Sequence, residues 1–388
     1  INGARIVLET LHRLGVTDMF GYPGGAVIPI YDEIYSFPEI KHYFVRHEQG
    51  AAHAADGYAR VSGRVGVCLA TSGPGATNLV TGIMTAYMDS VPMVAITGQV
   101  GRPFIGKDSF QEADIQGITM PITKHNYLVQ DIHDLPRIIK EAYFIAGTGR
   151  PGPVLIDIPK DIQTEKISMA EYNKLYEVPI HLEGYDPTYK GHQGQIKKAA
   201  TLIKNAKRPL IIAGAGVLKS GAMDELKELA EKAQIPVTNT LVGLGGFPGD
   251  HELALGMVGM HGSVAANNST DEADLVIAAG IRFHDRITGH PDFFCKKAKI
   301  IHIDIDPAEI DKNVTINVPI VGDLKQVLTE LNALVEPTTH EAWLEQIREW
   351  QAEYPMVIPE SKNGVLHAQY VLSELNKIAK DDAIIVSD

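Results

Sequence analysis

The segment RHEQGAAHAADGYARVSG, residues 46–63, begins where the short apolar run HYFVRH ends and is followed by a second apolar run, RVGVCLAT. Its pattern predicts a helix whose first turn and a half is lined by Gly50, Ala51, Ala52, Ala54 and Ala55. Small side chains let another backbone or a flat ligand come close to a helix. Glu48 stands at the beginning of this helix and is therefore a candidate for holding or moving a proton on a bound molecule.

Apolar runs alternate with helical patterns along most of the chain. Residues 1–162 contain HYFVRH, RVGVCLAT, PMVAITGQ, HNYLVQ and PVLIDIP, and residues 192–337 contain RPLIIAGAG, IPVTNT, DEADLVIAAG, KAKIIHIDID and NVPIVGD. Strands that are apolar throughout and separated by helices are typical of parallel sheets covered on both faces. The sequence therefore predicts an α/β protein with two doubly wound parallel-sheet domains.

The segments outside these two domains differ in composition. Residues 163–191 are polar and rich in Tyr and Pro, which predicts a linker. Residues 338–364 predict a connecting helix, EAWLEQIREWQAEY, and a loop, and residues 365–388 predict a helix and the apolar strand DDAIIVSD. Because such a strand needs partners in a sheet, we expect residues 365–388 to begin a third domain whose remainder is missing.

Composition argues against several classes of function. The chain has 388 residues, with 35 Lys plus Arg against 48 Asp plus Glu and a net charge of −13. An acidic balance argues against nucleic acid or an anionic membrane as the main partner, and no apolar run approaches the roughly 18 residues of a membrane span. The N-terminal run INGARIVLETLHRLG predicts an amphipathic helix rather than a signal peptide. With only Cys68 and Cys295, no disulfide framework is expected, which fits a reducing, cytoplasmic compartment.

Two glycine-rich turns stand out in the first domain. GYPGGAV, residues 21–27, has unobstructed backbone amides that suit a cofactor or a developing oxyanion. TSGPGATNLVTGI, residues 71–83, places Gly73 and Gly75 between a strand and a helix N-terminus, which favours anions or polar ligand atoms. The second turn is not a dinucleotide fingerprint, since the sixth position of GPGATN is Asn78. For both turns a purely structural role stays open.

The second domain has a similar turn, GAGVLKSG, residues 214–221. Its sixth position is Lys219, and no acidic residue ends the next strand, IPVTNT, so an NAD site of the Rossmann type is not expected. GMHG, GIRFHDR, HIDID and VGD nevertheless fall at strand ends, where open α/β sheets bind ligands. A second, nucleotide-like ligand is therefore expected in this domain. The sequence has no CxxC, HExxH or GxSxG pattern that would indicate a metal site or a nucleophile elbow.

Taken in order, these motifs resemble those of one enzyme family. The family is the acetohydroxyacid (acetolactate) synthase catalytic subunits, within the thiamine-diphosphate-dependent decarboxylases. The resemblance covers essentially the whole chain and is carried by GYPGGAV, RHEQGAAHAADGYAR, TSGPGATNLVTGI, DSFQEADIQGITMPITKH, RPGPVLIDIPKDIQ, GMVGMHG, RFHDRITG and IHIDIDPAEI. The joint occurrence of QEADI, GMHG and RFxDRxTG is its most specific part.

The resemblance implies an activity and a set of site residues. The reaction is decarboxylation of pyruvate on thiamine diphosphate and condensation with a second pyruvate or with 2-oxobutyrate, in branched-chain amino-acid biosynthesis. Glu48 would hydrogen-bond the pyrimidine nitrogen, Gly25 and Ala26 would form the active-site turn, and Phe110, Gln111 and Arg286 would face the substrates. Positions implied around an FAD without a net redox role are Arg150, Gly214, Gly216, Met260, His261, Gly280, Arg282, Asp304 and Asp323.

The resemblance also implies an assembly. The family has a pyrimidine-binding domain, a middle domain that holds FAD, and a third domain that binds the diphosphate and Mg²⁺. The motif for Mg²⁺ is absent from this sequence, so the chain as it stands is predicted to hold no metal and to be inactive. The resemblance further implies a homodimer or homotetramer and a small regulatory subunit. Departures from the family pattern occur at Gly101, Ala215, Asn268 and His284, three of them around the expected flavin.

Two alternatives remain open at the level of sequence. The first is another thiamine-diphosphate enzyme on the same scaffold, such as glyoxylate carboligase, pyruvate oxidase or the flavin-free catabolic acetolactate synthase. The second is a non-catalytic α/β nucleotide-binding module, in which Glu48 would be an ordinary charge at a helix terminus. Flavin retention and the product formed from pyruvate separate these possibilities.

Overall fold

The computed structural model describes residues 1–359, 364–380 and 382–386. The chain divides into two compact units, Ile1–Thr188 and Tyr189–Asp388. Each unit contains one six-stranded sheet in which every strand pair is parallel. The predicted α/β class with two doubly wound parallel sheets is confirmed. Among the residues that the structure describes, no helix has the length and apolar character needed to cross a membrane.

The first unit has the strand order β2-β1-β3-β4-β6-β5. Its strands are β1 (Asp18–Gly21), β2 (Lys41–Phe44), β3 (Gly66–Ala70), β4 (Met93–Gln99), β5 (His125–Leu128) and β6 (Pro153–Pro159). Its helices are α1 (Gly3–Arg13), α2 (Ile28–Tyr35), α3 (Glu48–Ser62), α4 (Pro74–Thr77), α5 (Val80–Met88), α6 (Ile115–Thr119), α7 (Leu135–Gly147), α8 (Lys160–Thr164) and α9 (Met169–Glu177). Val67 and Leu69 of β3 point into the core under α1 and α7, whereas Cys68 and Ala70 point into the core under α3 and α5.

The small residues of α3 serve close packing between backbones. A side-chain carbon added at Gly66 of β3 would lie 2.2 Å from the carbonyl oxygen of Ala55, and one at Gly82 of α5 would lie 2.3 Å from the Cβ of Ala52. Such distances leave no room for a methyl group, so α3 lies directly against β3 and α5. Of the two roles that the sequence left open for these residues, the structure uses them for the approach of another backbone.

The edge strand β2 differs from the expected fully covered strand. Tyr43 is 37% exposed and Phe44 63% exposed. Because β2 ends the sheet and pairs only with β1, its aromatic rings pack on the neighbouring strand, with Tyr43 stacked on Phe20 at 5.1 Å between centroids. The apolar run HYFVRH therefore marks a strand at the edge of the sheet and not one in its interior.

Residues 163–191, which composition predicts to be a linker, contain helix α9. Tyr172 of this helix is completely buried, and its hydroxyl lies 3.3 Å from the hydroxyl of Thr10 in α1. Ser168 caps the helix by accepting a hydrogen bond from the amide of Glu171. The first part of this segment therefore packs on the first unit, and the boundary between the two units falls after Thr188.

The second unit has the strand order β12-β11-β10-β7-β8-β9. Its strands are β7 (Pro209–Ala213), β8 (Val237–Asn239), β9 (Ala254–Met257), β10 (Leu275–Ala279), β11 (Lys299–Asp304) and β12 (Val318–Val321). Its helices are α10 (Gln193–Asn205), α11 (Ala215–Ser220), α12 (Met223–Ala233), α13 (Val264–Glu272), α14 (Asp285–Thr288), α15 (Leu324–Leu334), α16 (Glu341–Glu353) and α17 (Ala368–Ile378). The sequence pattern missed β9, a four-residue edge strand that contains Gly256 at φ +75°.

The two C-terminal helices, α16 and α17, differ in how deeply their side chains are buried. Trp343 of α16 is buried and donates its indole N–H to the carbonyl oxygen of Pro209 at 3.0 Å, so α16 belongs to the core of the second unit. Helix α17 has no buried residue. The strand predicted for residues 381–388 does not form over residues 382–386, which are exposed and have no partner strand among the described residues. Its other positions lie outside the residues that the structure describes.

Candidate functional site

The strand order of the first unit creates a topological switch point between β1 and β3. The chain runs from β1 outward to β2 on one side and then returns to β3 on the other side. In open parallel sheets, ligands bind at the carboxyl ends of the strands at such a point. The two glycine-rich turns, residues 21–27 and 71–78, follow β1 and β3 directly. Both predicted turns therefore lie at the edge where this fold favours a site.

Glu48 lies at the same edge, in the first turn of α3. His47 caps this helix, its Nδ1 accepting a hydrogen bond from the amide of Gln49 at 3.1 Å. The Glu48 side chain is buried, and its Oε2 accepts a hydrogen bond from Asn78 Nδ2 at 2.9 Å. A side-chain carbon added at Gly75 would lie 3.2 Å from Glu48 Oε1. Asn78 thus orients the carboxyl group, and Gly75, where an added carbon would also lie 2.6 Å from the methyl group of Thr71, lets the turn after β3 pack close to its other oxygen.

The turn after β1 is held through the backbone of Ala26. Its N–H donates to the hydroxyl of Thr71 at 3.1 Å, and its carbonyl oxygen accepts a hydrogen bond from Gln163 Nε2 at 2.8 Å. Gly24 packs against Thr71 so closely that an added side-chain carbon would lie 2.4 Å from the threonine methyl group. Gly25, between these fixed residues, faces open space. The turn is therefore rigid on the protein side and open at Gly25.

Tyr31 and His42 add a polar pair near Glu48. The Tyr31 hydroxyl lies 3.1 Å from His42 Nε2. Burial raises the pKa of Tyr31, and the nearby charge of Glu48 adds to the rise. Burial lowers the pKa of His42, which favours a neutral ring that accepts the hydrogen of the phenol. This pair keeps the phenol protonated beside the carboxyl group, and the sequence offered no signal for it.

The loop that carries Phe110 and Gln111 meets the turn after β3. Phe110 is 87% exposed, whereas Gln111 has a left-handed backbone with φ +56°. Gly73, at φ +58°, lies so close to this backbone that an added side-chain carbon would be 2.6 Å from the carbonyl oxygen of Gln111. Glu112 closes the loop on itself by accepting hydrogen bonds from the amides of Gly106 and Ser109. The loop therefore lies directly on the turn that contains Gly75.

A buried carboxyl group supports this loop from the sheet. Asp157 in β6 is 2% exposed and accepts hydrogen bonds from Thr97 Oγ1 at 2.7 Å and from Gln99 Nε2 at 2.8 Å. Burial raises the pKa of Asp157 to about 7, the two hydrogen bonds oppose the rise, and the charge of Asp114 adds to it. Sequence reasoning did not select Asp157, because its partners stand about 60 positions earlier in the chain.

The second unit has its own switch point, between β7 and β10. Its strand order is that of dinucleotide-binding sheets, in which the ligand crosses the edge at the reversal of strand order. Gly214 follows β7 and Gly280 follows β10, and the amide of Gly216 donates to the carbonyl oxygen of Gly280 at 3.1 Å. A side-chain carbon added at Gly280, at φ +62°, would lie 2.6 Å from the Cα of Gly216. Gly214, Gly216 and Gly280, which the resemblance places around the FAD, therefore lie in direct contact at this edge.

Two buried polar atoms lie at the same edge without a hydrogen-bond partner among the described residues. They are Asn239 Oδ1 and Thr240 Oγ1, at the end of β8. Thr240 is placed beside β7 by the hydrogen bond from its amide to the carbonyl oxygen of Ala213, 2.9 Å long. Buried polar groups are almost always satisfied, so unpaired ones at a sheet edge indicate a polar ligand atom or water. In the sequence, the segment IPVTNT stands out only because no acidic residue ends it.

Of the other residues expected around the flavin, Arg150 lies in the first unit and the rest lie in the second. Met260 and His261 follow β9 and are exposed, and Arg286, also exposed, accepts a hydrogen bond at its carbonyl oxygen from the amide of Met260 at 3.0 Å. Arg282 follows β10 and is half-buried. Asp304 ends β11, Asp323 caps α15 by accepting from the amide of Gln326, and Arg150 lies in the first unit with its Nε bonded to Ser90 Oγ at 2.8 Å.

Two families of known protein domains match the chain. The family described as "Thiamine pyrophosphate enzyme, N-terminal TPP binding domain" matches residues 1–118, and "Thiamine pyrophosphate enzyme, central domain" matches residues 196–331. The first match includes Glu48 and both glycine-rich turns of the first unit. The second includes the contact of Gly216 with Gly280. The two sheets with their edges are thus those of a thiamine pyrophosphate enzyme.

Curated relatives narrow this class. An acetolactate synthase large subunit of Buchnera aphidicola is 47% identical over 392 residues, which are 100% of this chain and 68% of the relative. An acetolactate synthase large subunit of Mycobacterium tuberculosis is 50% identical over 393 residues, 100% of this chain and 63% of the relative. A probable acetolactate synthase large subunit of Methanocaldococcus jannaschii is 54% identical over 352 residues, 90% of this chain and 59% of the relative. The chain belongs to the acetolactate synthase family, which confirms the resemblance, and it spans less than two thirds of the length of most of these relatives.

Proposed function

We propose that the chain forms the pyrimidine-binding and flavin-binding parts of an acetolactate synthase catalytic subunit. The enzyme decarboxylates pyruvate and joins the two-carbon remainder to a second pyruvate, giving 2-acetolactate, or to 2-oxobutyrate, giving 2-aceto-2-hydroxybutyrate. The observation that carries the proposal is the buried carboxyl of Glu48, oriented by Asn78 beside the side-chain-free Gly75. The similarity to synthase large subunits of 47–54% identity supports it.

The first unit fits the pyrimidine part of thiamine diphosphate. Gly25 faces open space, which gives a flat ring a place, and the buried carboxyl of Glu48 at the same edge of the sheet is a candidate partner for a ring nitrogen. When bound, thiamine diphosphate supplies the electron sink that lets a 2-keto acid lose carbon dioxide. Glu48 would hold a proton at the pyrimidine nitrogen, and Asn78 would fix the carboxyl in the required orientation. Ala26, clamped by Thr71 and Gln163, would keep the active-site turn in place.

The second unit fits FAD. A Cβ at Gly214, Gly216 or Gly280 would collide with the opposite backbone, so these glycines bring the ends of β7 and β10 together at the edge where this fold binds extended ligands. The unpaired Asn239 Oδ1 and Thr240 Oγ1 are candidate partners for its polar atoms. Arg282, Asp304, Asp323, Met260, His261 and Arg150 remain candidate contacts. FAD would have a structural role in this reaction.

The proposal includes further partners. Arg286, Phe110 and Gln111 are proposed to face the 2-keto acids. Mg²⁺ is proposed as a third cofactor, bound together with the diphosphate of thiamine diphosphate. We propose a homodimer or homotetramer that binds a small regulatory subunit. A reducing, cytoplasmic compartment is supported by the two cysteines, both buried and unpaired.

The decisive test uses this sequence within a protein of the relatives' full length. Acetolactate formed from pyruvate is measured with thiamine diphosphate, Mg²⁺ and FAD together and with each left out. We expect product that depends on thiamine diphosphate and Mg²⁺, and yellow protein when FAD is present. Formation of acetate from pyruvate, or of a product from glyoxylate alone, would assign a different thiamine diphosphate reaction. If pyruvate is not decarboxylated at all, the result would favour a non-catalytic nucleotide-binding module.

A further inference from the structure

The side chain of Gln99 connects the sheet of the first unit with the loop over residues 100–114. Gln99 is the last residue of β4 and is buried. Its Nε2 donates to the carbonyl oxygen of Ala113 at 2.9 Å and to Asp157 Oδ2 at 2.8 Å, and its Oε1 accepts from the amide of Val100 at 2.9 Å. An amide nitrogen carries two hydrogens, so both are used. One goes to the loop and the other to the sheet.

Asp157 determines the orientation of this amide group. Its carboxyl and the carbonyl of Ala113 offer acceptors to the same side of Gln99, so the nitrogen and not the oxygen must face them. Thr97 holds the other carboxyl oxygen from the neighbouring strand at 2.7 Å. The register of β4 and β6 places Thr97 opposite Asp157. The buried carboxyl thus selects the one amide orientation that also binds the loop.

The position of the loop is transmitted to the turn beside Glu48. Ala113 is two residues from Gln111, whose carbonyl oxygen lies where a side chain on Gly73 would be. Gly73 is in turn two residues from Gly75, which lies next to Glu48 Oε1. Each of these contacts is between backbones or across a missing side chain. A shift of the loop therefore has to be shared with the turn.

We propose that Gln99, oriented by Asp157, is a positioning residue that holds Phe110 and Gln111 over the turn beside Glu48. The role of these two residues toward a 2-keto acid rests on the proposed function. The attachment of the loop to Gln99 does not depend on the proposed function, because it involves only atoms of this chain. Gln99 contributes no atom to the reaction, and its effect passes through the carbonyl of Ala113.

The first test measures amide hydrogen exchange of residues 104–114 in this chain. Gln99→Met keeps the length of the side chain and removes both donated hydrogen bonds. We expect exchange in the loop to rise about tenfold, the order expected for loss of one buried hydrogen bond, with helix α7 unchanged. Thr97→Val is the matched control, since it removes a partner of Asp157 and leaves the link to Ala113 intact. Unchanged exchange in the loop of Gln99→Met would overturn the proposal.

A second pair of variants separates loop positioning from core stability. Gln99→Glu places a carboxyl against Asp157, and Asp157→Asn added to it restores one hydrogen bond within the core by exchanging donor and acceptor. Residue 99 then still has no hydrogen for the carbonyl of Ala113. We expect the double variant to regain thermal stability relative to Gln99→Glu while the loop stays in fast exchange. A loop that regains its protection together with the core would contradict a positioning role.

The effect of the loop on substrate binding is measured as KM and kcat for pyruvate in a protein of the relatives' full length. We expect Gln99→Met to raise KM for pyruvate about tenfold and to change kcat less, because Glu48 and Asn78 are untouched. The double variant should show the same raised KM despite its restored stability. If the full-length protein makes no acetolactate, the proposed function fails and hydrogen exchange still decides the hold on the loop. A KM that follows stability across the variants would overturn the positioning role.

Discussion

Both sheets of this protein have a topological switch point, although their strand orders differ, and the two units use it in different ways. In the first unit the switch point between β1 and β3 is surrounded by side chains with polar atoms, namely Glu48, Asn78, Thr71 and Gln163. In the second unit the switch point between β7 and β10 is made by backbone contacts of Gly214, Gly216 and Gly280. The first arrangement suits control of a proton, and the second suits the shape of a long ligand. A shared fold thus does not define a shared chemistry.

The difference has an energetic consequence. A side chain such as Glu48 stands at the end of its helix, so its replacement removes one hydrogen bond from Asn78 and little packing. A glycine such as Gly280 fills a position where any side chain would collide with the opposite backbone. Substitutions at the first edge should therefore change activity more than stability. Substitutions at the second edge should change stability and ligand binding together.

The strongest test of the first edge is Glu48→Gln in a protein of the relatives' full length. Glutamine keeps the size of the side chain but holds no ionisable proton for the pyrimidine nitrogen. We expect kcat to fall at least about a hundredfold, the lower range for loss of general acid–base catalysis, with an unchanged melting temperature. Glu141→Gln is the control, since Glu141 of α7 is also buried but binds Tyr127 of β5 and Arg137 of its own helix. Full activity of Glu48→Gln would remove Glu48 from the mechanism.

The buried carboxyl of Asp157 makes the stability of the first unit depend on pH. Its pKa is raised by burial to about 7, so the unfolded chain loses this proton near pH 4 while the folded chain keeps it up to about pH 7. The contribution of Asp157 to stability is thus complete below about pH 4 and is lost as pH rises to about 7. At 1.36 kcal/mol per pKa unit, Asp157→Asn should gain about 2 kcal/mol relative to the wild type between pH 5 and pH 7.

Urea unfolding of the wild type and of Asp157→Asn between pH 5 and pH 7 measures the difference in their free energies of unfolding. A constant difference between wild type and Asp157→Asn would mean that the carboxyl does not change its protonation on folding. Glu141→Gln again serves as the comparison for a buried carboxyl outside this network. The pH dependence belongs to one group in β6, so it gives the first unit a signature that can be followed independently of the second.

At the second edge, Gly280→Ala is expected to destabilise the chain by about 3 kcal/mol or more. The added methyl group would lie 2.6 Å from the Cα of Gly216, and φ of +62° already disfavours a side chain. Gly221→Ala is the matched control: its φ is +64° and nothing lies within 4 Å of the added carbon. It should cost about 1 kcal/mol, as expected for a positive φ alone.

Urea unfolding gives the difference between these two variants, about 2 kcal/mol, which isolates the close approach of the two backbones. FAD binding by Gly280→Ala, followed by flavin fluorescence, should be lost, whereas Gly221→Ala should retain it. Equal destabilisation by the two variants would show that the contact of Gly216 with Gly280 does not limit this edge.

The sequence predicted the sheets well because their strands are continuous apolar runs, as in β3, β4, β6, β7, β10 and β11. It missed β9, which is short, lies at the edge and contains Gly256. The partners within each site were harder to predict, since they are distant along the chain. Asn78 was noted only as a departure from a dinucleotide fingerprint, yet it binds Glu48 across 30 positions. The link from Asp157 to Gln99 spans 58 positions and depends on the register of β4 and β6, which no local pattern contains.

The smallest expected effect is that of one methyl group added at the first edge by Gly25→Ala, in contrast to Gly280→Ala at the second edge. Gly25→Ala places it in open space, where nothing of the protein lies within 4 Å, so stability should stay within about 0.5 kcal/mol of the wild type. The space is the one proposed for the cofactor, and KM for thiamine diphosphate should therefore rise about tenfold in the full-length protein, about 1.4 kcal/mol. Gly57→Ala, also in open space but on α3, should leave KM unchanged. If Gly25→Ala lowers stability as Gly280→Ala does, the first edge is closed by packing, and its open turn is not a place for a ligand.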